Sequence, residues 1–189
     1  MNRYRDVVCV ENNRVILANG RYIHANWIEA NGERRFICTQ GPLSQTVDDF
    51  WALVLQEKIE AVVMLCNTLE LNRPKCVQYW PEDNSPNSVS LRASILIIFL
   101  KSTLQVIQSE DGNIRVEFIA QEPLDTHLIK TRLLVTSNNP KQQQVVRHFH
   151  WRDWPDRGVP INQLATLRLL HFLGPYQRII VHCSAGGFS

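Results

Sequence analysis

The chain has 189 residues, 44% of them hydrophobic and 20% charged, which excludes a disordered chain and leaves enough length to bury the core of one domain. Lys and Arg number 20 against 18 Asp and Glu, and the net charge of +2 excludes a strongly basic nucleic-acid binder and an acidic tail protein. The opening MNRYRD is polar, with no signal-peptide core behind it, and apolar runs such as ILIIFL at 95–100 fall far short of the roughly 20 residues that cross a bilayer, so no membrane segment is expected. The five cysteines, at 9, 38, 66, 76 and 183, are odd in number and form no CxxC pair. Neither a disulfide framework nor a metal site is expected, no cofactor is implied, and a reducing, cytoplasmic setting fits.

In chain order, the first readable element is a helix. Thr46 with Asp49 resembles a capping box, and Val47, Phe50, Trp51 and Val54 then follow at helical spacing on one apolar face. AVVMLC at 61–66 is a continuous apolar run of strand length, hence a buried strand. The Ser/Asn/Pro-rich stretch 83–90 reads as a surface loop. Strands are expected at 89–103, 114–120, 128–137 and 145–151, mostly antiparallel, with Asp111-Gly112 as a hairpin turn. A second helix is predicted over 162–173, with Leu164, Leu167 and Leu170 recurring on one side, and IIVH at 179–182 reads as another buried strand. Strands in the middle with helices packed on them give an α/β (α+β) class.

Two stretches carry chemistry. The strand at 179–182 delivers Cys183 into the small-residue turn Ser184-Ala185-Gly186-Gly187. Small residues let successive backbone N–H groups converge on one point, which binds anions and favours a thiolate suited to attack on a phosphate ester. Alone, a cysteine at a strand end is more often a small buried hydrophobe. The second stretch is Trp151-Arg152-Asp153-Trp154-Pro155-Asp156-Arg157-Gly158-Val159-Pro160, a loop by its prolines and glycine. Asp156 there could serve as a general acid for a leaving oxygen, or be an ordinary turn aspartate.

Taken together these residues resemble the protein tyrosine phosphatase family. His182-Cys183-Ser184-Ala185-Gly186 is similar to its phosphate loop, and Trp154-Pro155-Asp156 to its mobile acid loop. Asn2-Arg3-Tyr4-Arg5-Asp6-Val7 resembles its phosphotyrosine-recognition loop. Tyr22-Ile23-His24-Ala25-Asn26, Thr39-Gln40-Gly41-Pro42 and Lys75-Cys76-Val77-Gln78-Tyr79-Trp80-Pro81 match further motifs in order.

The resemblance implies a twisted mixed β-sheet flanked by helices and phosphotyrosine-containing proteins or peptides as partners. It makes Cys183 the nucleophile that forms a cysteinyl-phosphate, Asp156 the acid for the leaving phenolate, and His182 the residue that orients Cys183 from behind. Tyr4 becomes a wall of the substrate pocket, Asp6 a hold on the peptide backbone, and Ser184, Ala185, Gly186 and Gly187 the phosphate cradle. Glu70 corresponds to the acid that buttresses the phosphate-loop arginine, Lys75 to a lysine near the acid loop, and Trp154 and Pro155 to the frame of that loop.

The sequence departs from the family at one decisive place. The pattern H-C-x-x-G-x-x-R puts arginine at position 189, and residue 189 is serine. A neutral hydroxyl cannot copy a bidentate guanidinium on a phosphate. Leu71 departs as well, since a lysine often follows the acidic residue there. The expectation is therefore a partial phosphatase catalytic domain over 1–189, without the family's C-terminal helices and inactive as written. A phosphotyrosine-binding pseudophosphatase and a non-functional fragment are the alternatives.

Overall fold

The computed structural model describes residues 1–30, 32–82, 106–155, 158, 160 and 163–186. The loop expected at 83–90 and the strand expected at 89–103 lie outside the described residues, as do Asp156, Gly187 and Ser189.

Ten strands and two α-helices organise the described chain. They are β1 (Ala25–Ala30), β2 (Glu33–Thr39), α1 (Val47–Gln56), β3 (Ala61–Met64), β4 (Leu69–Glu70), β5 (Arg73–Pro74), β6 (Val106–Gln108), β7 (Ile114–Pro123), β8 (Leu128–Asn138), β9 (Lys141–Trp151), α2 (Gln163–Leu173) and β10 (Ile179–His182). Eight strands form one mixed sheet in the order β1-β2-β10-β3-β9-β8-β7-β6, and β4 and β5 form a small separate ribbon. β10 lies parallel between β2 and β3, and β3 is parallel to β9, while β6 to β9 form the antiparallel meander expected from their short connections. The Asp111-Gly112 turn closes the β6–β7 hairpin, with Gly112 at φ +70°.

The central strands are apolar because both of their faces are covered. On β3, Val62 and Met64 face a core shared with Phe50, Trp51, Leu53 and Val54 of α1, while Ala61 and Val63 face a second core shared with Leu169 and Leu173 of α2. Alternation with period two along a strand buried on both sides produces an uninterrupted apolar run. Trp51 is buried and its indole N–H donates to the Tyr79 carbonyl at 2.9 Å. Burying a side chain of that size contributes about 3 kcal/mol. Arg35 of β2 fastens the end of α2, its guanidinium donating to the carbonyls of Leu173, Gly174 and Tyr176, groups that a helix end leaves without internal partners.

Two expectations for the helices need correction. Thr46 does not cap α1 with Asp49. Its hydroxyl instead closes a 3-10 turn at Ser44–Thr46, accepting from the Leu43 N–H at 3.0 Å, and the Asp49 carboxylate faces Arg21 at 3.2 Å. The chain is already turning before α1 begins, so the hydroxyl is used one turn early. On α2, Leu164, Leu167 and Leu170 are exposed and Leu169 and Leu173 are buried. Leucines lie around much of this helix, so spacing alone does not select the face that the sheet covers.

Candidate active site

The parallel register decides where chemistry can sit. His182 of β10 is paired with Thr39 of β2 and Met64 of β3, and Met64 with His150 of β9. Four strands thus end in one row, and the segments that follow them (Gln40 onward, Cys183 onward, Leu65 onward and Arg152 onward) gather at one edge, the usual ligand edge of parallel strands.

Cys183 is half-buried at the first position beyond β10. The Gly186 N–H donates to its Sγ at 3.4 Å, and the Ser184 carbonyl accepts from the Gly41 N–H at 3.3 Å, which ties the loop to the segment after β2. Gly186 has φ +76°, a conformation in which a side chain is strained. Gly41 is required by close packing, because a Cβ there would lie 2.9 Å from the Cys183 carbonyl oxygen and 3.1 Å from Cys76 Sγ.

Tyr4 reaches this loop from the N-terminal segment, its hydroxyl 3.4 Å from Ser184 Oγ. Arg3 holds that segment in place. Its N–H donates to Gln40 Oε1 at 2.8 Å, and its guanidinium donates to the carbonyls of Gly41 at 3.0 Å and Pro42 at 2.9 Å. Arg3 and Gln40 were assigned no role by sequence reasoning, although both lie inside motifs it quoted. Asp6 is exposed on the same segment, and Ala185 is half-buried in the loop.

Behind Cys183 lies a buried polar chain. His182 Nδ1 donates to the Cys183 carbonyl at 3.1 Å, while His182 Nε2 lies 2.6 Å from the Tyr79 hydroxyl. The same hydroxyl lies 2.8 Å from His148 Nε2. With His182 neutral, its Nε2 accepts the Tyr79 proton, and the hydroxyl accepts from a His148 that carries its proton on Nε2. His148 Nδ1 is then left as a bare acceptor, and it is a buried ring nitrogen without a hydrogen-bond partner. Phe50 and Trp80 enclose the group, with Trp80 stacked on His148 at 4.5 Å. Burial pushes the Tyr79 hydroxyl up and the His148 ring well down, which keeps both uncharged. The Cys66 thiol is pushed up too, first by its hydrogen bond with Cys76 and then by burial. Sequence reasoning missed Tyr79, which lies 103 residues from His182.

His150 also belongs to this region, its Nε2 donating to the Cys66 carbonyl at 3.1 Å. Burial holds its pKa down at about 4, against an ordinary 6.5. The unfolded chain therefore binds a proton that the folded chain refuses between those values. Folding stability is fully present above about pH 6.5 and is expected to decline as the pH falls through about 4, by on the order of 3 kcal/mol from this ring. Urea midpoints measured across that range check this, and His150→Gln should flatten the decline.

Glu70, Lys75 and Trp154 form a second grouping beside the loop. Glu70 accepts from the Asn67 N–H at 2.8 Å and faces Lys75 Nζ at 3.8 Å. Trp154 packs edge-on against Trp151 at 5.3 Å, and Pro155 is exposed. Among the described residues no cluster of His, Cys, Asp and Glu has metal-binding geometry, and no helix is long and apolar enough to cross a membrane.

Comparison with known proteins shows the family and the fold. A family model described as protein-tyrosine phosphatase covers residues 1–188. Human receptor-type tyrosine-protein phosphatase zeta is 31% identical over 209 residues, covering 98% of this chain and 8% of that protein. Tyrosine-protein phosphatase non-receptor type 2 of Rattus norvegicus is 34% identical over 196 residues, covering 98% of this chain and 42% of that protein. The chain thus spans less than half the length of either relative. Among solved structures, the catalytic domain of human protein tyrosine phosphatase non-receptor type 18 superposes with a TM-score of 0.79 at 29% identity, covering 98% of this chain and 62% of that one. A structure of PTPN18 in complex with HER2 phosphopeptides gives 0.81 at 28% identity, covering 98% and 65%.

Proposed function

The chain belongs to the protein-tyrosine phosphatase family, and we propose that its Cys183 loop recognises phosphotyrosine in peptides while Ser189 holds turnover low. The observation that carries this reading is the meeting of three elements at one strand edge: the Gly186 N–H on Cys183 Sγ, the Tyr4 hydroxyl on Ser184, and the His182–Tyr79 chain behind them. The phosphopeptide complexes of PTPN18 support phosphotyrosine peptides as the ligand class.

In this reading the phosphate oxygens sit on the N–H groups of Ser184 to Gly187, and the substrate ring stacks beside Tyr4. Asp6 holds the peptide backbone. The Cys183 thiolate attacks phosphorus, a sulfur–phosphorus bond forms, and the phosphorus–phenolate bond breaks. Asp156 gives its proton to the phenolate and then takes one from the water that cleaves the cysteinyl-phosphate. His182 holds the Cys183 carbonyl from behind, and Trp154 and Pro155 frame the segment that carries Asp156. The residue six positions after Cys183 is Ser189 in place of arginine, so charge developing on the phosphate oxygens meets one neutral donor instead of a cationic fork. Turnover is then low, and phosphate binding rests on the loop N–H groups without the fork.

Hydrolysis of p-nitrophenyl phosphate, measured side by side with rat non-receptor type 2 phosphatase, tests the catalytic part. The expected kcat/KM is lower than the relative's by at least about 100-fold, and Cys183→Ala removes what remains. A rate equal to the relative's and lost in Cys183→Ala would contradict the role given to Ser189.

A further inference from the structure

A cleft opens along the same strand edge that carries the Cys183 loop. It has a volume of about 520 Å³ and lies between the β4–β5 turn and residues 152–154. The topology fixes its place. β10, β3 and β9 lie side by side, with His182, Met64 and His150 in one row. Cys183 leaves β10 at that row, Asn67 follows β3, and Arg152 follows β9. Neighbouring strands are about 4.8 Å apart, so the cleft begins about 5–10 Å from the strand that carries Cys183. Asn67 joins the two walls, its side-chain amide donating to the Arg152 carbonyl.

The cleft is cationic with one aromatic wall. Arg73, Lys75 and Arg152 line it, along with Trp154 and the carboxylates of Glu70 and Asp153. Both carboxylates are engaged: Glu70 with the Asn67 N–H and Lys75, and Asp153 with His127, which does not line the cleft. Arg73 and Arg152 are exposed, and among the described residues neither is in an ion pair. A guanidinium presents a planar fork that matches a carboxylate.

Leu71 stands at the rim, 97% exposed and at φ +48°, beside Asn72 at φ +58°. A leucine in the left-handed region is disfavoured by contact between its Cβ and its own carbonyl, and full exposure recovers none of that cost through burial. An apolar side chain held out in this way beside two guanidiniums suits an amphipathic peptide.

We infer that this cleft is a selecting subsite for phosphotyrosine peptides, in which Arg73 and Arg152 take the carboxylate of an acidic residue near the phosphotyrosine and Leu71 meets an apolar neighbour. The inference rests on the phosphotyrosine reading above and extends it to peptide sequence. An extended chain advances about 3.3–3.6 Å per residue, so the acidic residue lies about two or three positions away.

The test is isothermal titration of the full chain with phosphotyrosine peptides carrying Glu or Gln two or three positions to either side of the phosphotyrosine. At one of these positions the Glu peptide should bind about tenfold tighter than its Gln counterpart. The preference should vanish in Arg73→Gln/Arg152→Gln while affinity for the Gln peptide is unchanged. Leu71→Asn should raise the thermal midpoint, because asparagine suits the turn, and lower affinity for both peptides. Equal affinity for Glu and Gln peptides at every position, with phosphate-dependent binding intact, overturns the subsite and leaves the phosphotyrosine reading standing. A Glu preference that survives the double substitution overturns it as well. Equal binding of phosphorylated and unphosphorylated peptides overturns the reading on which it rests.

Discussion

Ser189→Arg is expected to raise kcat/KM for an aryl phosphate by about 100- to 1,000-fold. The family pattern places arginine six residues after the cysteine, and this chain has Ser189 there. A guanidinium presents donors in a rigid fork and carries a full charge, so it grips two phosphate oxygens at once and gains strength as charge builds on them. A serine hydroxyl offers one neutral donor. Ser189→Lys restores the charge without the fork and should recover only part of the gain. Steady-state kinetics on the three proteins, each repeated with Cys183→Ala, check the prediction. A Ser189→Arg protein that keeps the unmodified chain's thermal midpoint and its low rate would show that the missing fork is not what limits turnover.

Gly186→Ala is expected to lower phosphopeptide affinity by at least about tenfold and to cost about 2–4 kcal/mol of stability. A Cβ at residue 186 would lie 2.5 Å from the Gln40 nitrogen and 2.6 Å and 2.8 Å from the carbonyl carbon and oxygen of Thr39. All three are backbone atoms at the end of β2, which is hydrogen-bonded into the sheet, so none can rotate aside as a side chain would. The Cys183 loop must move instead, and the N–H that Gly186 directs at Cys183 Sγ moves with it. Gly20→Ala separates the two causes of the loss. Gly20 has φ +75° with nothing within 4 Å of its added Cβ, so it reports the cost of the left-handed conformation alone, about 1–2 kcal/mol. Denaturant unfolding of both variants with phosphopeptide titration of Gly186→Ala provides the comparison. Equal stability losses, with affinity unchanged in Gly186→Ala, would show that the loop does not need its contact with β2.

Sequence reasoning reached the parts of the molecule where one segment carries its own signal. The apolar runs at 61–66 and 179–182 read as buried strands because both faces of β3 and β10 are covered. Cys183 stood out because a strand feeds it directly into small residues. The failures came where several segments compete. Leucines lie around much of α2, and only the packed fold shows that Leu169 and Leu173 turn inward while Leu164, Leu167 and Leu170 do not. Thr46 carried a capping pattern, but the 3-10 turn before α1 uses its hydroxyl first. The Tyr79–His148–His182 chain joins side chains 69 and 103 residues apart, and no local pattern encodes such a meeting. The cationic cleft is of the same kind, built from the ends of β3 and β9 and the β4–β5 turn, which lie together only in the folded sheet.

Phosphotyrosine recognition by the Cys183 loop is what every other role given to this edge depends on. It is tested most directly by titrating the chain with one peptide in its tyrosine-phosphorylated and unphosphorylated forms, and with the phosphorylated form again after Gly186→Ala. The phosphorylated peptide should bind at least about tenfold tighter, a preference lost in Gly186→Ala. Identical affinities for the two forms of the peptide would contradict it.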